Sequence, residues 1–101
     1  MYKGHVATIR MDRSLLIGET AEDTQFDGIV LDYDEQEGNL LLALQTGELT
    51  EISLNAIYRC EIQMKESGVW CTGTVVDRCC SGAGKIVNIK IENGFYKINI
   101  K

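Results

Sequence analysis

Four carboxylates fall within six residues of the stretch FDGIVLDYDEQEG, at Asp32, Asp34, Glu35 and Glu37, and Gly38 closes the run. Side chains of this type and spacing could hold a cation, exchange protons, contact a bound ligand or face water. A calcium loop is the first candidate, because such loops alternate acidic ligands around a glycine. An EF-hand loop opened by Asp32 needs glycine at its sixth position and glutamate at its twelfth, and the chain has Glu37 and Ala43 there. Catalysis needs a nucleophile with a base, and His5, the single histidine, stands alone near the start. Cys60, Cys71, Cys79 and Cys80 lack the paired C-x-x-C spacing of a zinc ribbon or a redox dithiol. No metal, no cofactor and no enzymatic activity are therefore expected. Ser81 to Gly84, SGAG, lacks the spacing of a phosphate loop and reads as a hairpin loop.

The elements that must position these residues read as strands. The chain has no proline and runs in alternating β-branched segments, which favours strands over helices throughout. Asn93-Gly94 between KIVNIKIE and FYKINIK predicts a two-residue hairpin turn. That register sets Ile91 opposite Tyr96, Ile89 opposite Ile98 and Val87 opposite Ile100 on one buried face, with Lys90, Lys97 and Asn99 on the other. A second hairpin is expected around Lys65 to Gly68. It puts Tyr58, Cys60, Ile62 and Met64 inward against Val69, Cys71 and Val75, and turns Trp70 outward with Thr72 and Thr74 as an interface candidate. Cys60 and Cys71 then serve as reduced core residues, while Cys79 and Cys80 are exposed loop thiols. FDGIVLDYD, GNLLLALQ and ELTEISL supply further short strands, and RMDRSLLIGE has room for one helical turn. The expectation is an all-β, six- to seven-stranded antiparallel (split) barrel, in which closure removes exposed edges.

At 101 residues the chain fits one domain, 1–101, with a single core. Ten basic and fifteen acidic residues give a net charge of −5. Such a surface repels polyphosphate at long range and argues against a nucleic-acid-binding barrel, which wants a basic face with interleaved aromatics. No apolar run reaches the roughly 18 residues of a membrane span, and MYKGHVATIR lacks a signal-like apolar stretch, so a cytoplasmic protein is expected.

FDGIVLDYDEQEGNLLLAL, followed by an extended stretch, CTGTVVD and KIVNIKIEN, resembles the PilZ domain family, including the related N-terminal domains of flagellar brake proteins. The resemblance spans about Arg10 to Phe95 and is one of pattern and order. It implies a six-stranded barrel and a cyclic di-GMP site made of an Arg-x-x-x-Arg segment ahead of the first strand and an Asp/Asn-x-Ser-x-x-Gly turn after it. Here Arg10 and Arg13 are three apart instead of four. Asp32 takes the family's Asp position, Asp34 stands where Ser belongs, Glu37 where Gly belongs, and Gly38 comes one place late. These departures bring carboxylates toward a dianion, at a cost of about 1 kcal/mol each at 4 Å even in water. The resemblance therefore implies a non-enzymatic regulatory or protein-interaction module with a degenerate nucleotide site at Arg10, Arg13, Asp32, Asp34 and Gly38. Its partner is expected in bacterial signalling, motility or exopolysaccharide machinery, and the alternative is a functional cyclic di-GMP receptor.

Overall fold

The computed structural model describes residues 2–14, 25–54, 56–65, 67–82, 84–92 and 94–98, without the side chains of residues 13 and 14. Among the described residues seven strands form one sheet: β1 (Val6–Ser14), β2 (Gln25–Asp34), β3 (Asn39–Leu44), β4 (Ala56–Gln63), β5 (Gly68–Ser81), β6 (Gly84–Ile91) and β7 (Tyr96–Ile98). The order is β4-β1-β2-β3-β6-β5-β7, and β4 also pairs with β5, so the first six strands close into an antiparallel barrel with β7 appended to β5. Among the described residues no helix is long and apolar enough to cross a membrane.

Strand alternation builds the core. Ala7, Ile9, Phe26, Val30, Leu40, Leu42, Tyr58, Cys60, Ile62, Cys71, Val75, Val87 and Ile89 all point inward and are buried. Two glycines let the sheet coil tightly enough to close. Gly28 pairs with Ala7 on one edge and Leu44 on the other. Gly73 pairs likewise with Tyr58 and Ile91. A Cβ on Gly28 would lie 2.7 Å from the Ala43 carbonyl oxygen, and one on Gly73 would overlap the Lys90 carbonyl. Both are corners at which one strand passes from one partner to the next.

The hairpin around Lys65 to Gly68 is present, and Tyr58, Cys60, Ile62, Val69, Cys71 and Val75 are buried as expected; its register sets Cys60 opposite Cys71, Ile62 opposite Val69 and Glu61 opposite Trp70. The expected β6–β7 hairpin is not. β7 pairs antiparallel with β5, Gly68 opposite Ile98 and Trp70 opposite Tyr96, and so runs in the same direction as β6. Barrel closure is the reason: β3 and β5 already occupy both edges of β6. The Glu92 N–H donates to the Thr72 carbonyl (3.0 Å), which keeps the chain against β5. Gly94 adopts a left-handed φ of 77°, and Phe95 then packs against the core. Val87 and Ile89 are buried as expected, but Tyr96 faces outward; Asn93, Asn99 and Ile100 lie outside the described residues.

Three shorter expectations also change. Arg10 to Ser14 are part of β1 instead of a helical turn, and Leu15 to Glu19 lie outside the described residues. ELTEISL forms a 3-10 turn at Leu49–Glu51. The Glu51 carboxylate there accepts the Glu48 N–H (2.9 Å), and the Arg78 guanidinium donates to the carbonyls of Leu49 and Ile52. Exposed Cys79 and Cys80 belong to β5 instead of a loop, while the hairpin expected at SGAG is present, with Ser81 opposite Gly84.

Candidate functional site

The acidic run is the hairpin between β2 and β3, closed by the pairing of Asp34 with Asn39. Its carboxylates are only partly available to a ligand. Asp34 Oδ1 accepts the N–H groups of Gln36 (3.0 Å) and Glu37 (3.2 Å), while the Gly38 N–H donates to the Asp34 carbonyl (2.8 Å). Gly38 completes the turn at a φ of 70°, a conformation that favours glycine. Asp32 Oδ1 accepts the Tyr33 N–H at 2.9 Å. Lys90 Nζ donates to the Glu37 carbonyl, and the Ile91 N–H donates to that of Gly38 (2.8 Å), which tethers the turn to β6. Asp32, Tyr33, Asp34, Glu35 and Gln36 line an open depression of about 430 Å³. Its three carboxylates repel phosphate. Among the described residues no three His, Cys, Asp or Glu side chains stand close enough to hold a metal.

Beneath this turn, Tyr2, Tyr33 and Phe95 fill one end of the barrel. Their ring centroids are 4.6 Å apart for Tyr2 and Phe95, 5.0 Å for Tyr33 and Phe95, and 5.7 Å for Tyr2 and Tyr33. Burial, then the neighbouring Cys71 and Glu35, raise the Tyr2 hydroxyl above its ordinary pKa; burial and Glu35 do the same for Tyr33. Cys60 and Cys71 are free and buried in the interior. The hydrogen bond with Cys71, followed by burial, holds the Cys60 thiol well above its ordinary value, so it stays protonated and unreactive.

Arg10 and Arg13 lie within β1, not ahead of a strand. Arg10 pairs with Gln25 at the start of β2, and Asp32 and Asp34 stand at its end. Seven to nine extended residues, roughly 25 Å at about 3.3 Å per residue, separate the two groups. The structure thus brings Asp32, Asp34 and Gly38 together and places Arg10, on β1, beside the far end of β2.

Arg10 has a different neighbour, Arg59, its register partner across β1 and β4. The Arg59 guanidinium carbon sits 4.1 Å from the centre of the Trp70 ring, and its Nε lies 3.6 Å from Glu61. Trp70 faces outward, as its parity requires, and stacks on Tyr96 with centroids 4.7 Å apart and planes 26° from parallel. The sequence reading missed Arg59 and Tyr96. The register of the β4–β5 hairpin could have found Arg59, since it sets Glu61 opposite Trp70 and Arg59 one step diagonal to it. Nothing local could have found Tyr96, whose position depends on β7 crossing to β5.

No protein family, curated protein or solved structure matches the chain.

Proposed function

We propose that this chain is a non-enzymatic, PilZ-like regulatory barrel that acts through contact with a protein partner and carries a degenerate cyclic di-GMP site. The observation that carries the reading is the separation of Arg10 from Asp32, Asp34 and Gly38 by most of β2. A compact dianion needs guanidinium forks and turn acceptors within reach of one another. The chemistry of the turn adds support: Asp34 is engaged by backbone N–H groups, and the depression beside it is lined by Asp32, Asp34 and Glu35. The likeness to PilZ domains supplies the context, so the partner belongs among bacterial signalling, motility or exopolysaccharide proteins. An outward Trp70, stacked and ringed by polar groups, is the type of surface such contacts use.

Titration calorimetry with cyclic di-GMP tests the proposal. The protein at tens of micromolar should give no heat beyond dilution. Saturable binding with micromolar affinity or better would identify a nucleotide receptor and overturn the degenerate-site reading.

A further inference from the structure

Protein contact through the outer face gives no part to the two thiols inside the barrel, Cys60 and Cys71. They are direct register partners in the β4–β5 hairpin, both point inward, and both are free and buried. The hairpin sets their separation. Its end is closed by the Met64 N–H donating to the Ser67 carbonyl (2.9 Å), and the pairing from Gln63–Gly68 back to Cys60–Cys71 runs without a register shift. Hydrogen-bonded and non-hydrogen-bonded pairs alternate along an antiparallel ladder. Cys60 and Cys71, four residues along each strand from Met64 and Ser67, are therefore a hydrogen-bonded pair with Cα atoms about 5.5 Å apart. Disulfides span about 4.4–6.8 Å between Cα atoms, and these two thiols already share a hydrogen bond. Cys79 and Cys80 have no such partner, since Ile86 and Lys85 stand opposite them.

We propose that Cys60 and Cys71 are a dithiol that hydrogen peroxide oxidises to a disulfide, and that this disulfide staples β4 to β5. In the closed barrel the pair is shielded, at 1% and 0% exposed, so the reaction follows transient opening. β4 and β5 are adjacent in sequence, and their hairpin keeps the two sulfurs together when the long-range pairing of β1 with β4 parts and uncovers the inner face. The Cys71 thiolate attacks one peroxide oxygen while Cys60 keeps its proton. The O–O bond breaks, the departing hydroxide takes up the proton lost by Cys71, and Cys71 becomes a sulfenic acid. The Cys60 sulfur then attacks the Cys71 sulfur, the S–O bond breaks, and hydroxide leaves as water with the Cys60 proton. Two thiols lose two electrons in all, and one peroxide is reduced to two waters. The staple closes a loop of about twelve residues, which by chain entropy favours the folded state by about a hundredfold.

The test uses the native protein and a Cys79→Ser, Cys80→Ser double variant, whose replaced side chains are exposed and leave the core intact. Each is reduced, freed of reductant and treated with millimolar hydrogen peroxide. Remaining thiols are blocked with N-ethylmaleimide in denaturant before trypsin digestion. Cleavage after Arg59, Lys65, Arg78 and Lys85 puts Cys60, Cys71 and the Cys79–Cys80 pair on three separate peptides. The expected product in both proteins is CEIQMK linked to ESGVWCTGTVVDR, formed more slowly than the exposed cysteines are oxidised and lost on adding dithiothreitol. The urea midpoint of the oxidised double variant should fall when dithiothreitol is added, a step that reduces the disulfide but leaves any oxidised methionine unchanged. Free Cys60 and Cys71 after Cys79 and Cys80 are fully oxidised would overturn the proposal. So would a sulfinic acid at Cys71 without the linked peptide, linkage of either residue to Cys79 or Cys80 in its place, or a midpoint that dithiothreitol does not lower.

Discussion

The Asp34 carboxylate acts as a small capping acceptor for the N–H groups of Gln36 and Glu37. Asp34→Ala should therefore cost about 1 kcal/mol in chemical denaturation, the typical loss of such a backbone contact, while Asp34→Asn, which keeps an acceptor, should cost much less. Cys60 has its own signature. Its folded pKa lies above the unfolded value, so its contribution is fully present below the ordinary thiol range and is lost as pH rises toward the folded value. Denaturation midpoints measured from pH 8 to 10.5 should fall above about pH 9, by at most about 1.4 kcal/mol per pH unit for this group. In Cys60→Ala the decline should be shallower, with Tyr2 and Tyr33 adding a loss of the same sign at higher pH. An unchanged slope would remove Cys60 from the account. At this scale the sequence is informative about direction, because strand parity alone sends Cys60 and Cys71 inward and Trp70 outward. It is silent about what each outward side chain meets, since Arg59 reaches Trp70 across a strand boundary.

The elements divide according to whether their partners are adjacent in sequence. The β2–β3 and β4–β5 hairpins follow from alternating runs around short loops, and both are present. Asn93-Gly94 carries an equally strong local hairpin signal, yet β7 joins β5, because β6 has both edges filled once the barrel closes. Local turn chemistry fixes a bend, whereas closure decides which strand receives the chain after it. The 3-10 turn at Leu49–Glu51 is a similar case, held by Arg78 from a strand nearly thirty residues away. Closure also makes the corner glycines sensitive. Gly73→Ala and Gly28→Ala should each destabilise the protein by about 2 kcal/mol or more, because the added methyl meets backbone carbonyls that cannot move without breaking strand pairing. Gly82→Ala, at the open β5–β6 tip, should change stability by less than about 0.5 kcal/mol. Urea denaturation of the three variants checks the ranking.

For the whole molecule, a barrel that is legible from alternation and turn spacing says little about what the barrel does. The site residues named from the sequence were grouped by a resemblance in their order along the chain, and order does not fix which strand end each one reaches. Once β2 is seen to span the barrel, Arg10 and the acidic turn part company, and Arg10 pairs across the sheet with Arg59, whose guanidinium lies over Trp70. One consequence is that repairing the turn with Asp34→Ser and Glu37→Gly should not by itself create nucleotide affinity, because the arginines stay at the other end; calorimetry of that variant should remain flat. The most direct test of the account is an amide NMR titration of the native, isotope-labelled protein with cyclic di-GMP. Neither the amides of Arg10 to Arg13 nor those of Asp32 to Gly38 should shift as nucleotide is added to millimolar concentration. Saturable shifts of both groups together, with one shared dissociation constant, would show that the two ends form a single site and would contradict it.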